Sequence, residues 1–180
     1  AVNGYWMCDI GRFQYGWVEG NDRLRKPLLK TRDGAQQAAT WKDALTKVRD
    51  LLNAAGRRDP ASVRFLVSAH ASLEELFLVK RIATELKGDA GPSHVAVTWR
   101  RSAKSQPAGT QFVIPATDAP NVTGARDLGL GVGAGLDGAA DLTSLRAAVD
   151  AGTVDVLYVV DPGPAESLGD VSWVREAKAT

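Results

Sequence analysis

Two short apolar runs joined by one helical segment constrain the fold of this chain more than any other part of its sequence. Residues 63–68 and 94–99 are rich in apolar side chains, and each run predicts a β-strand. Between them the apolar pattern predicts a helix over about 73–87, and Ser72 with Glu75 predicts a capping box at its start. A strand, a helix and a second strand with short connections make a βαβ unit, in which the strands run parallel. The sequence therefore predicts an α/β fold with a parallel, Rossmann-like sheet.

Three further elements follow from the pattern of apolar residues. An apolar stripe over 41–55 predicts a helix, with Thr40 as its N-cap and Gly56 as its end. Residues 142–151 predict a short helix. The near-continuous, β-branched run Val154–Val160 predicts a buried strand, because strands of a parallel sheet are covered on both faces.

The remaining segments have weaker patterns. Residues 1–34 have no sustained period and are expected to be irregular, whereas residues 111–114 are expected to form a short strand. Residues 129–140 contain five glycines and are expected to form a loop. Their spacing departs from the G-x-G-x-x-G fingerprint of dinucleotide-binding turns, because Ala134 stands where the last glycine would fall. A surface loop is therefore favoured over a nucleotide site.

Composition excludes several classes of protein. Lys and Arg number 22 against 21 Asp and Glu, so the formal net charge of +1 gives no indication of a nucleic-acid binder. No run of about 18 apolar residues is present, so the sequence predicts no membrane-spanning helix. The single cysteine excludes an internal disulfide framework, and it excludes an all-cysteine zinc or iron–sulfur site built by this chain alone. The length of 180 residues fits one domain, or one domain with fragments of its neighbours.

Two polar residues follow predicted strands, at the edge where parallel sheets bind ligands. Asp161 comes directly after the last strand and is a candidate ligand-binding residue, although Pro162 and Pro164 favour a role in turning the chain. His70 follows the first strand and is a candidate acid or base. Because no serine or cysteine nucleophile lies near it in a recognisable motif, a hydrogen-bonded loop histidine is the favoured interpretation.

Cys8 has surroundings that would suit a metal ligand. A lone cysteine is usually a small buried apolar residue. Here Gly11 would allow close approach of the backbone, Arg12 would stabilise a thiolate or an anionic cluster, and the neighbouring aromatic residues would exclude water. A tetranuclear cluster needs further thiolates, which would have to precede Ala1. The density of aromatic residues at the start of the chain also leads us to expect residues before Ala1.

The same N-terminal block resembles a known family. Residues 3–13, Asn-Gly-Tyr-Trp-Met-Cys-Asp-Ile-Gly-Arg-Phe, and residues 22–28, Asp-Arg-Leu-Arg-Lys-Pro-Leu, are similar to the large iron–sulfur subunit of complex I. This is the 75 kDa-type subunit of respiratory NADH–quinone oxidoreductase, within the molybdopterin-oxidoreductase-like superfamily. The resemblance continues through further segments: 41–45, 67–77, 116–124, 127–129 and 154–160.

This resemblance implies a site and a domain organisation. It implies that Cys8 is the fourth ligand of a [4Fe–4S] cluster, with Gly11 and Arg12 beside the cofactor. Related molybdenum enzymes carry a lysine two residues after that cysteine, where this chain has Ile10, so the resemblance argues against molybdopterin. Residues 1–34 are then the end of an iron–sulfur domain and a connector, and residues 35–180 are part of a molybdopterin-oxidoreductase-like α/β domain.

The resemblance also implies a function and its setting. The chain would be a fragment of the electron-transfer subunit of an NADH:quinone oxidoreductase, without catalysis of its own. Its partners would be other peripheral-arm subunits, which bind NADH and quinone, on the cytoplasmic side of the inner membrane without membrane insertion or nucleic acid. Two alternatives stay open: a catalytic, formate dehydrogenase-like molybdopterin subunit, and a structural α/β module without a cofactor.

Overall fold

A computed structural model describes residues 12–13, 15–21, 23–100, 104–109, 111, 113–114, 117–130, 139–164 and 166–176. The chain divides into two compact units, residues 1–50 and residues 51–180. The predicted boundary at residue 34 separates an iron–sulfur domain from an α/β domain, and it stays a prediction.

The first unit contains a small hairpin that the sequence pattern did not predict. A 3₁₀ turn, Gly16–Glu19, precedes strands β1 (Leu28–Lys30) and β2 (Gln36–Ala38), which pair antiparallel. The backbone N–H of Thr31 donates to the carbonyl of Ala35 at 2.8 Å and closes the turn. With three residues each, these strands are too short to show an alternating pattern.

Helix α1 spans Trp41–Arg58 and begins as predicted at Thr40. The backbone N–H of Asp43 donates to the Thr40 hydroxyl at 3.2 Å. The prediction that Gly56 ends the helix was wrong, because the helix continues to Arg58. Gly56 faces Leu86 instead, and a β-carbon there would lie 3.2 Å from a methyl carbon of that leucine. The glycine thus allows a close approach between side chain and backbone.

The predicted βαβ unit is confirmed. Strand β3 (Val63–Ser68) is followed by helix α2 (Leu73–Lys87) and strand β4 (Val95–Thr98), and β3 and β4 pair in parallel. Gly88 adopts a φ of +62° and ends α2. A 3₁₀ segment, Gly88–His94, then leads into β4, so the strand is shorter than the predicted 94–99.

Strand β5 (Val156–Val160) lies on the other side of β3 and completes a parallel sheet of order β4-β3-β5. Three helices complete the second unit: α3 (Val122–Asp127), α4 (Ala139–Asp150) and α5 (Ser172–Glu176). The α/β fold class is therefore confirmed. Two predictions were wrong in part: the described residues of 111–114 form no strand, and β5 is half-buried rather than buried.

Alternate residues of the central strand support two cores, one on each face of the sheet. Phe65 and Val67 pack with Leu76 and Ala83 of α2. Leu66 points to the opposite face, where a second cluster is formed by Ala96, Leu145, Leu168 and Trp173. Because successive side chains of a strand point to opposite faces, β3 contributes to both cores at once. Among the described residues, no helix combines the length and apolar character needed to cross a membrane.

Candidate functional site

The carboxyl ends of the three parallel strands meet at one edge of the sheet, where α/β proteins bind ligands. The backbone N–H of Ala69, after β3, donates to the carbonyl of Thr98 at 2.9 Å. The backbone N–H of Asn121 donates a hydrogen bond to the carbonyl of Ala69 at 3.1 Å. The side-chain amide of Asn121 donates another to the carbonyl of Ala71 at 3.0 Å. These bonds place the loops after β3 and β4 side by side.

A cavity of about 930 Å³ lies at this edge, next to the loop after β5. Its lining includes Trp99, Arg100, Asp161, Glu166, Asp170 and Ser172. Trp99 and Arg100 follow β4, whereas the other residues come from the loop that leads from β5 to α5 and from the start of that helix. Of these residues, the sequence indicated only Asp161 as a candidate ligand-binding residue.

Asp161 holds its own loop in shape. Its carboxylate accepts a hydrogen bond from the backbone N–H of Gly163 at 3.2 Å and another from the hydroxyl of Ser167, which is buried. The backbone N–H of Ser167 donates to the carbonyl of Pro164 at 3.0 Å. This arrangement is typical of an Asx turn, in which an aspartate orders the backbone that follows it. The turn interpretation favoured by the prolines fits these contacts.

His70 packs against the same loop. A β-carbon on Gly163 would be 2.9 Å from Cγ of His70, so the imidazole packs directly against the glycine backbone. The backbone N–H of His70 donates to the hydroxyl of Ser68 at 3.3 Å. The two residues singled out from the sequence, Asp161 and His70, are thus brought to one loop.

The cavity lining is acidic, with one basic residue among three carboxylates. Arg100 forms an ion pair with Glu166, at 2.8 Å between Nη1 and Oε2. Asp170 accepts hydrogen bonds from the side chain and backbone of Ser172, and these bonds lower the pKa of its carboxyl group. Arg100 and Glu166 stand 66 positions apart in the chain, and no local pattern marks either as part of a site.

The proposed iron–sulfur site falls almost entirely outside the described residues. Cys8, Ile10 and Gly11 are not among them, nor are residues 131–138 of the glycine-rich loop. Arg12 is described and exposed, and its guanidinium carbon lies 5.1 Å from the centre of the Phe13 ring. Among the described residues, no group of three or more His, Cys, Asp or Glu side chains could hold a metal ion.

The donor set of the chain does not by itself fit a [4Fe–4S] cluster. Such a cluster is held by four cysteine thiolates in most proteins, and this chain has a single cysteine. Cys8 can supply one ligand at most.

Comparison with known proteins identifies relatives of the chain. It is 35% identical to NADH-quinone oxidoreductase subunit 3 of Thermus thermophilus over 86 residues, which cover 48% of this chain and 10% of that protein. It is 39% identical to the NADH-quinone oxidoreductase subunit designated G in Shewanella oneidensis over 82 residues, 46% of this chain and 8% of that protein. The chain is a relative of these NADH-quinone oxidoreductase subunits.

The NADH-quinone oxidoreductases are not the only kind of relative. A formate dehydrogenase-like protein of Staphylococcus aureus is 29% identical over 82 residues, which cover 45% of this chain and 8% of that protein. The similarity to the NADH-quinone oxidoreductase subunits confirms the resemblance seen in the sequence. In each case the match spans a tenth or less of the relative's length. No protein-family model and no solved structure matches the chain.

Proposed function

We propose that this chain is a segment of the iron–sulfur electron-transfer subunit of an NADH:quinone oxidoreductase, and that its α/β domain serves as a scaffold without molybdenum catalysis. The similarity to subunits of NADH-quinone oxidoreductase supports the first part. The proposed setting is the peripheral arm of the complex, on the cytoplasmic side of the membrane. There, other subunits bind NADH and quinone.

One structural observation supports the scaffold role. Two polar groups at the carboxyl edge of the sheet are engaged by hydrogen bonds within the fold. The Asp161 carboxylate accepts hydrogen bonds from the backbone N–H of Gly163 and the hydroxyl of Ser167. The Thr98 hydroxyl donates a hydrogen bond to the carbonyl of Leu168 at 3.2 Å. A cofactor site at this edge would need donors and acceptors that point into the cavity. Because these groups form hydrogen bonds within the fold, the contacts favour a scaffold role for this domain over a cofactor site.

Cys8 is the proposed ligand of a [4Fe–4S] cluster, with Gly11 and Arg12 next to it. The other thiolates would come from a part of the protein outside these 180 residues. An arginine beside the cluster would stabilise its negative charge and tune its reduction potential. Ile10 takes the position at which related molybdenum enzymes place a lysine, and this supports a subunit without molybdopterin.

The test uses the full-length protein purified without oxygen. EPR of the reduced protein counts the iron–sulfur clusters, and metal analysis measures molybdenum. We expect the variant Cys8→Ala to lack one [4Fe–4S] signal, whereas the matched variant Met7→Ala keeps every signal. An unchanged set of signals in Cys8→Ala would reduce that residue to a packing role.

The formate dehydrogenase-like relative supports a second candidate function. In that case the full-length protein would be a catalytic molybdopterin subunit. Molybdenum in a ratio of one per protein would favour this candidate over the scaffold. A protein with neither clusters nor molybdenum would instead be a structural module.

A further inference from the structure

The backbone of β1 is paired with another strand along one side only. Among the described residues, β1 and β2 form a sheet of two strands. Pro27 accepts a hydrogen bond from the residue after β2 at 2.9 Å, and Thr31 donates one to the residue before β2 at 2.8 Å. Because such bonds join every second residue of an antiparallel strand, the backbone N–H and C=O groups of Leu28 and Lys30 point away from β2.

These outward groups form a free edge of the hairpin. Within the described part of the chain, the backbone groups of Leu28 and Lys30 have no hydrogen-bond partner. Both residues are exposed, so their outward N–H and C=O groups face solvent. A free edge of this kind can pair with an extended peptide, which then becomes a further strand of the sheet.

The free edge lies in a strongly basic segment of the chain. Residues 23–32 contain no acidic residue and five basic ones, all exposed: Arg23, Arg25, Lys26, Lys30 and Arg32. None of the last four takes part in an ion pair with another described residue. Asp33 comes next, and its carboxylate accepts a hydrogen bond from the Thr31 hydroxyl. The segment therefore carries an excess of positive charge.

Apolar side chains alternate with these charges. Leu24 is 77% exposed and Leu28 is 40% exposed. Because side chains two apart in a strand share a face, Leu28 and Lys30 lie on the same face of β1. A matching strand would combine apolar and acidic side chains. Nucleic acids carry the required negative charge, but they have no backbone groups with the spacing of a β-strand.

The same charges disfavour pairing between two copies of this chain. If the free edges of two β1 strands met, the basic residues of one copy would face those of the other, and like charges across a strand pair are destabilising. The free edge of β2 differs, because Gln36, Gln37 and Ala38 carry no charge. Charge therefore selects the edge of β1, and it selects a partner that is not a second copy.

We propose that the free edge of β1 is a docking site for an extended acidic segment of a second protein. The segment pairs with the outward backbone groups of Leu28 and Lys30 and becomes the third strand of the sheet. Its carboxylates neutralise the basic residues of 23–32, and an apolar side chain covers Leu28. The inference does not depend on the proposed function, because it uses neither Cys8 nor the similarity to known proteins.

The test is an NMR titration of the 180-residue chain with a short acetylated peptide of alternating Glu and Val. The observed signals are the backbone amides of Leu28 and Lys30. We expect saturable shifts of both amides and slower hydrogen exchange, because pairing gives each N–H an acceptor. Absence of saturable binding would show that the basic residues only protect the edge from pairing, and it would overturn the proposal.

Two control peptides separate pairing from attraction by charge. The first has N-methyl groups on every backbone nitrogen, so it keeps the charges and cannot form a strand ladder. The second has Gln in place of each Glu, so it keeps the backbone and lacks the charges. We expect each to bind about tenfold more weakly or less tightly still. Binding of either control as tight as that of the acidic peptide would contradict the site.

Two substitutions at one position test the backbone contact. Leu28→Ala keeps the backbone N–H, whereas Leu28→Pro removes it. That N–H points away from β2, so proline leaves the bonds between β1 and β2 in place. We expect Leu28→Pro to bind the acidic peptide about fivefold more weakly than Leu28→Ala, as loss of one hydrogen bond does. Equal affinities of the two folded variants would contradict pairing at this edge.

A charge reversal decides the outcome if Leu28→Pro opens the hairpin. We expect Lys30→Glu to weaken binding of the acidic peptide about tenfold or more. Arg81→Glu is the matched control, because it reverses an exposed positive charge on α2, outside the basic segment. It should leave binding unchanged. Equal effects of Lys30→Glu and Arg81→Glu would overturn the site.

Two further measurements examine other occupants of the edge. Titration with single-stranded oligothymidylate tests for nucleic acid, and we expect it not to slow exchange of the Leu28 and Lys30 amides. Binding tighter than that of the acidic peptide would overturn the proposal. Hydrogen exchange of the full-length protein alone tests for its own chain, and we expect fast exchange over 28–30. Protection there would place the occupant within the same polypeptide and contradict a second protein.

Discussion

The carboxylate of Asp161 accepts a hydrogen bond from the buried hydroxyl of Ser167, six residues further along the chain. This bond closes the loop after β5 on itself and fixes one wall of the cavity at the carboxyl edge of the sheet. The ring of His70, which follows β3, packs against Gly163 of this loop. The wall is therefore shaped by contacts among residues that follow two different strands.

Loss of this bond should destabilise the protein measurably. We expect Asp161→Ala to lower the free energy of unfolding by about 2 kcal/mol, because a charged acceptor is removed and a buried hydroxyl loses its partner. Urea denaturation followed by circular dichroism measures the change. Asp127→Ala, at an exposed position of α3, is the control and should change stability by less than about 0.5 kcal/mol. Equal effects of the two substitutions would contradict the role given to Asp161.

Gly91 occupies a position where a side chain has no room. It is buried, and a β-carbon would lie 2.5 Å from the backbone nitrogen of Thr84. The backbone of α2 cannot move aside without repacking, so we expect Gly91→Ala to cost about 1–3 kcal/mol. Thermal and urea unfolding both report this loss. Gly16→Ala is the matched control, since nothing lies within 4 Å of its β-carbon position. A neutral Gly91→Ala would show that the turn after α2 is looser than described.

The capping box of α2 can be tested at one hydroxyl. The backbone N–H of Glu75 donates to the Ser72 hydroxyl at 3.2 Å, and the backbone N–H of Ser72 donates to the Glu75 carboxylate at 2.8 Å. We expect Ser72→Ala to lower the free energy of unfolding by about 1 kcal/mol. Ser72→Asp should retain most of the stability, because aspartate also caps helices. A loss of the same size in both variants would point to a role other than capping.

The pKa of His94 predicts how stability responds to acid. Its ordinary value is 6.5, and burial with Arg64 and Lys87 lowers it to about 4 in the folded protein. The unfolded chain therefore binds a proton between these values while the folded chain does not. Stability should fall as the pH is lowered from 6.5 to 4, and this contribution should level off below 4.

Carboxylates also titrate in this range, so the measurement compares two proteins. The free energy of unfolding is determined at several pH values for the original chain and for His94→Gln. We expect the loss of stability between pH 6.5 and pH 4 to be smaller in the variant. Parallel curves for the two proteins would show that His94 keeps an ordinary pKa.

Local patterns predicted the sheet and its helices well. The capping box and Gly88 bracket α2, and the apolar runs mark β3 and β4, because each signal lies within a few residues. The prediction that Gly56 ends α1 was wrong because a glycine that makes room for a neighbouring side chain cannot be distinguished in the sequence from one that ends a helix. The β1–β2 hairpin was missed because its strands are short and partly polar.

Side-chain groupings were harder to predict than elements. Arg64 and His94 stand 30 positions apart, and their contact depends on the parallel register of β3 with β4. Asp161 is recognisable in the sequence because it directly follows a strand. Ser167 and Arg100 are not, because their partners depend on how the loops cross the edge of the sheet.

The central position of β3 has a consequence for the motions of the fold. Its backbone pairs with β4 on one side and with β5 on the other, and its side chains fill both cores. Deuterium should therefore enter its amides last, since exposing them requires the breaking of both ladders. Strands β4 and β5 each pair with β3 alone in this sheet, so we expect their amides to exchange before those of β3.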